Sequence, residues 1–171
     1  GLGSVFHRLG PAVAASLAKR KALVDRIPWS SSDLGLLLTR LYSFGSSASN
    51  QASRFVAGMV SSTPIDVVAE FLPALQEHDK REALAAFEHV ELLVVVGDTD
   101  RLTPKEQSDE IVRRLPGAEY VVIPDSGHMV TLEKHEEVDD LLLELLSRVR
   151  RDIAHEAAAD ADGSAAGEPG P

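Results

Sequence analysis

The sequence holds 171 residues, 44% hydrophobic and 26% charged, enough for one folded domain with a core. It has no cysteine, which excludes a disulfide framework and a thiolate metal site. A net charge of −10 argues against nucleic acid as the main partner, and no apolar run approaches the roughly 20 residues of a membrane span.

The first residue is Gly1, not Met, so the sequence leaves open what precedes it, a signal peptide included. With none visible, a cytoplasmic location is expected. Residues 1–60 carry a net +5, residues 61–150 carry −11 and the tail from Arg151 carries −4. The basic first third would suit an anionic substrate or a lipid surface, but solvated helix faces account for it more simply.

Residues 9–27 read as a helix, with Val13, Leu17, Val24 and Ile27 near one stripe. Pro28 to Ser32 breaks it, and Ser32 or Asp33 can cap the next helix. Leu34, Leu37, Leu38, Leu41 and Tyr42 repeat at helical spacing, and Phe44 to Asn50 is a Gly/Ser loop. Gln51 to Val60 is a further helix. Thr63-Pro64 opens another, in which Pro73 is expected to kink or shorten the run. One or two more turns are expected over Lys80–Phe87. Residues 1 to about 88 are therefore helical, without a strand.

Leu92 to Val96 and Tyr120 to Ile123 are short, β-branched and apolar, as buried strands are. Between them Thr103 is placed to cap a helix, with Pro104 in its first turn and Glu106 as the capping-box acid. A helix between two buried strands implies a parallel pair with a right-handed crossover. Glu136 to Arg150 then forms the clearest helix, with Val138, Leu141, Leu142, Leu145, Leu146 and Val149 in one stripe expected to pack on the sheet. From Arg151 the Ala, Asp, Gly and Pro content reads as a disordered tail, residues 151–171.

The polar residues gather after the strands. Gly97-Asp98-Thr99-Asp100 follows the first and Asp125-Ser126-Gly127-His128 follows the second. Loops at the C-terminal edge of a parallel sheet are where ligands and catalytic groups collect. Asp100 and His128 lie 28 residues apart, about what a strand end, a helix and a second strand consume. His7, His78, His89, His135 and His155 show no paired ligand spacing, so neither a metal nor a cofactor is expected.

Residues 91–146, with G-D-x-D-x-x-x-P followed by a strand and G-H, resemble the C-terminal part of the α/β-hydrolase fold family. The resemblance implies an α/β fold in which a helical cap, residues 1–88, precedes a strand-helix-strand-helix part of a parallel core, residues 89–150. It implies Asp100 as the acid and His128 as the base of a nucleophile-acid-histidine triad. Asp98 is the rival acid, but its family counterpart is not the triad member. Its plainer role is a turn carboxylate bonding the backbone just after it. Glu133, beyond the histidine, corresponds to a structural glutamate. The cap would cover a pocket for a small molecule with an apolar acyl or alkyl group. Trp29, Tyr42, Phe44 and Phe55 are candidate pocket residues, although such aromatics are more often core.

The family nucleophile elbow, G-x-S-x-G between a strand and a helix, is missing. Its nearest imitation, Gly45-Ser46-Ser47-Ala48-Ser49, lacks the last glycine and follows a helix-like leucine run. The upstream oxyanion-hole motif is missing as well. The resemblance thus covers the cap and the last two strands, and implies a C-terminal portion that supplies acid and base but lacks the N-terminal half. Alone, it is expected to be inactive. The first expectation for the complete protein is a carboxylic-ester hydrolase. The alternatives are an epoxide-hydrolase-like enzyme and a non-catalytic, degenerate hydrolase-like binding domain.

Overall fold

Two parallel strands, β1 (Leu93–Gly97) and β2 (Glu119–Ile123), pair from Leu93↔Glu119 to Gly97↔Ile123 in a computed structural model that describes residues 2–24, 26, 32–46 and 48–165. The parallel pairing is as expected, with β1 shifted by one residue and β2 starting one residue earlier. The linker is α6 (Lys105–Arg114), which packs on β1. Tyr120 Oη donates to Asp109 Oδ1 at 2.8 Å and fixes α6 against β2. The Lys105 ammonium, then the Tyr120 hydroxyl, hold the Asp109 carboxyl below its usual range.

Ahead of the sheet lie α1 (Leu2–Ala18), α2 (Lys21–Val24), α3 (Asp33–Ser43), α4 (Asn50–Ser62), α5 (Ile65–Glu77) and a 3-10 turn (Arg81–Phe87). None of the described residues before Leu93 forms a strand. The expected first helix is divided, because the chain turns at Lys19-Arg20. α1 packs on α5, and Lys21 Nζ donates to Asp66 Oδ1 at 2.7 Å. Ser32 caps α3 and Ser49 caps α4, each accepting a backbone N–H at 3.0 Å, from Gly35 and Ala52.

Three local expectations fail. Neither Thr63 nor Thr103 is an N-cap; Pro64 and Pro104 stand at those positions of α5 and α6, with no side-chain cap bond, and Thr63 instead ends α4. Proline keeps the residue before it extended, which carries each threonine a step away from the start of the following helix. Pro73 does not shorten α5, which continues to Glu77. The missing N–H costs one intrahelical bond, and packing on α1 supports the rest of the helix.

After β2 come α7 (Val130–Glu133) and α8 (His135–Ala165). α8 contacts β1, buries Val138 and sends Arg148 to Glu91 and Glu119. It does not end near Arg150. Residues 151–165, expected as disordered tail, continue the helix. Their alanines favour helix, a propensity that overall composition conceals.

The core lies where the α3–α4 loop meets the strand ends. Phe44, Ala48 and Val56 form a buried cluster, with Ala52 and Met129 against it. Ile123 is fully buried, worth about 2 kcal/mol relative to exposure. In contrast, Leu34, Leu37, Phe55, Met59, Phe71 and Leu75 on α3–α5 stay exposed. Among the described residues no single helix is long and apolar enough to cross a membrane. Only α4 and α5 together meet that length and composition, and they are bent by 94°.

Candidate active site

The two strand-end loops interlock through their backbones. Asp98 N donates to Ile123 O at 3.1 Å, and Thr99 N donates to Ser126 O at 3.0 Å. Thr99 Oγ1 also reaches Ser126 O, at 2.8 Å. Gly97 makes this approach possible, since a Cβ there would lie 2.2 Å from Ser126 O. Asp125 takes a left-handed turn, φ 49°, a conformation that Asp tolerates better than most residues. Asp98 departs from the expected turn carboxylate. Its Oδ1 accepts from Ser126 N, at 3.3 Å, on the neighbouring loop instead of from the backbone just after it.

Asp100 sits in the pocket those loops create. Its Oδ1 accepts the backbone N–H groups of Leu102 and Thr103, both at 2.9 Å. Its Oδ2 accepts Thr103 Oγ1 at 2.8 Å and lies 3.0 Å from His128 Nδ1. The Asp100 side chain is 5% exposed and that of His128 34%, so the acid is enclosed while the imidazole remains reachable. The structure thus brings together the two residues singled out in the sequence. An ionised carboxylate only accepts, so the pairing assigns the ring proton to Nδ1 and leaves Nε2 as a basic lone pair.

Thr103 joins this cluster without any signal in the sequence; its hydroxyl also lies 3.1 Å from His128 Nδ1. A threonine three residues after an acid in a turn looks like a helix cap, and only the α6 start at Lys105 shows otherwise. Glu133 has the structural setting expected of it. Its Oε1 accepts Gly127 N at 2.8 Å and Ser126 Oγ at 3.3 Å, and its Oε2 accepts Gly45 N at 2.7 Å. Ser46 N donates to Asp125 Oδ1 at 3.0 Å, and Met129 N donates to Ser43 O at 2.9 Å. The α3–α4 loop is therefore tied onto the histidine loop.

A cavity of about 470 Å³ opens beside this junction, lined by Leu37, Arg40, Leu41, Phe44, Thr99 and Arg101 among others. Of the aromatics expected in a pocket, Phe44 lines it and Tyr42 and Phe55 do not. Trp29 and Ser47 lie outside the described residues. Among the described residues no three His, Asp or Glu side chains converge as a metal site would need.

The profile described as "Alpha/beta hydrolase family" matches residues 3–141. A thermophilic esterase from Thermogutta terrifontis is 25% identical, with a TM-score of 0.62 over 81% of this chain and 50% of that one. An esterase from Exiguobacterium antarcticum, 17% identical, superposes with a TM-score of 0.59 over 78% of this chain and 47% of that one. A candidate non-heme bromoperoxidase, BpoC, from Mycobacterium tuberculosis H37Rv is 18% identical, with a TM-score of 0.61, 86% of this chain and 53% of that one. The latter two likenesses speak for the fold alone. The chain spans about half the length of these solved structures. A comparison with curated proteins finds no match.

Proposed function

The chain belongs to the alpha/beta hydrolase family, and from that premise we propose that it is the C-terminal portion of a carboxylic-ester hydrolase, with Asp100 as acid and His128 as base. The observation that carries this reading is the 3.0 Å contact between His128 Nδ1 and Asp100 Oδ2 at the ends of adjacent parallel strands. Likeness to an esterase at 25% identity supports an ester as the substrate.

In this reading a serine hydroxyl from a preceding segment attacks the ester carbonyl. Its proton passes to His128 Nε2, and Asp100 stabilises the imidazolium through Nδ1–H. The same proton then goes to the leaving alkoxide, and water repeats the sequence on the acyl-enzyme. Residues 1–88 act as a cap, and their exposed apolar side chains face an acyl or alkyl group.

The test is the coding sequence upstream of Gly1, followed by assay. A G-x-S-x-G motif there, with p-nitrophenyl ester turnover lost in His128→Ala, is the expected result. G-x-D-x-G would move the activity to epoxide-type substrates. Turnover indifferent to His128 would reject the assignment.

A further inference from the structure

We infer that Thr103 is a positioning residue whose hydroxyl locks the Asp100 carboxylate and the His128 ring into one fixed arrangement. The inference rests on the reading of Asp100 and His128 as acid and base.

Three distances carry it. Thr103 Oγ1 is 2.8 Å from Asp100 Oδ2 and 3.1 Å from His128 Nδ1, and the carboxylate oxygen is 3.0 Å from the same nitrogen. The three atoms form a closed triangle. Because the carboxylate only accepts, the hydroxyl proton goes to Oδ2. The Thr103 oxygen then offers a lone pair to Nδ1–H, which it shares with Oδ2. One hydroxyl thus donates to the acid and accepts from the base.

The rest of the carboxylate is already committed. Oδ1 takes the backbone N–H groups of Leu102 and Thr103. Oδ2 takes the threonine hydroxyl and the imidazole, so about four acceptor positions meet four donors. Its torsion is fixed from both sides, and only one oxygen is presented to the histidine. Without the hydroxyl, Oδ2 would hold a ring that is 34% exposed by a single bond. Pro104 frees Thr103 for this work. As the N-cap residue of α6 it leaves Thr103 outside the helix, with its hydroxyl engaged at the triangle.

The test is ring-proton NMR on the complete protein, with the His128 Nδ1–H resonance assigned by its loss in His128→Gln. Thr103→Val and Thr103→Ala should each speed its exchange with water about tenfold, the loss of roughly one hydrogen bond. Thr103→Ser should restore slow exchange, and Asp100→Asn should abolish the protected signal. Strand amide exchange should not change in any of them. Exchange as slow in Thr103→Val and Thr103→Ala as in the parent, with the signal still lost in Asp100→Asn, would overturn the role of Thr103 alone. Equal acceleration of the strand amides would also overturn it, by showing a general loosening. A signal that persists in Asp100→Asn, or that the folded parent lacks, would overturn the acid–base pair and the proposed function with it.

Discussion

Glu133 Oε2 accepts the backbone N–H of Gly45 at 2.7 Å, although 88 residues separate the two in sequence. The other carboxylate oxygen accepts Gly127 N at 2.8 Å, one residue before His128. One side chain therefore fixes the histidine loop and the start of the α3–α4 loop together. Gly45 and Gly127 permit the contact: a Cβ on Gly45 would lie 2.6 Å from Asp125 O, and one on Gly127 would lie 2.5 Å from the Phe44 carbonyl carbon.

Glu133→Ala should lower unfolding stability by about 2–3 kcal/mol, because it strands two backbone donors and the Ser126 hydroxyl at a closely packed junction. Glu133→Gln should cost about 1–2 kcal/mol, since an amide nitrogen must then face a donor. Urea unfolding of the three proteins measures both. Equal stability of Glu133→Ala and parent would show that the clasp contributes nothing.

Two glycine substitutions should move stability in opposite directions. Gly97→Ala places a Cβ 2.2 Å from Ser126 O and should cost about 3 kcal/mol, since backbone must move. Gly58, inside α4, has open space where a Cβ would stand, with nothing within 4 Å, so Gly58→Ala should gain about 0.5–1 kcal/mol through helix propensity. Thermal unfolding ranks the pair, and a neutral Gly97→Ala would contradict the interlocked loops.

Much of this arrangement is legible in the sequence, for identifiable reasons. Two β-branched runs around a helix specify parallel strands, and their following loops must share an edge; that alone brings Asp100 and His128 to one place. Ser32 and Ser49 sit in ordinary cap settings. The rest depends on tertiary partners. Asp98 bonds Ser126 and Thr103 turns to the acid, because both meet groups that local pattern does not reveal. Residues 151–165 read as tail only because composition averages away the helix propensity of their alanines.

If the proposed function holds, His128→Ala in the complete protein should lower kcat at least about a thousandfold, and Asp100→Asn about 10³–10⁴-fold. Asp98→Asn should cost less than about tenfold, because its amide oxygen can still accept Ser126 N. Steady-state kinetics with an ester decide the order. A severe Asp98→Asn with a mild Asp100→Asn would exchange the two assignments.

The Lys105–Asp109 pair should make a small, acid-sensitive contribution. Lys105 first, and Tyr120 second, depress the Asp109 carboxyl below 3.8. A depressed carboxyl stabilises the fold above its unfolded value, and that contribution disappears as pH falls through the folded one. Asp109→Asn should therefore reduce Tm slightly at pH 7, where salt also screens the pair, and should match the parent once pH falls well below 3.8. A gap that widens in acid would reverse the sign of the coupling.

The 171-residue chain alone should lack ester turnover and should self-associate. Its described sheet has two strands, which is too few to be stable by itself. Leu93, Val94 and Val95 are only half-buried, although a β-branched run of this kind suits a strand covered on both faces. The apolar stripes of α3 to α5 add a large exposed surface: Leu37 is 60% exposed, Phe55 59% and Phe71 60%. A soluble monomer seldom leaves so many large apolar side chains in water, and open strand edges recruit other chains. The site points the same way. His128 has its acid in place at 3.0 Å, but base catalysis also needs a hydroxyl to deprotonate, and no nucleophile elbow occurs in the sequence. Size-exclusion chromatography, thermal unfolding and a p-nitrophenyl ester assay on the isolated chain test both halves of the prediction. A monodisperse monomer with a sharp transition would refute the instability. Turnover that His128→Ala abolishes would place a nucleophile within these residues, and Ser47 would be the first to substitute.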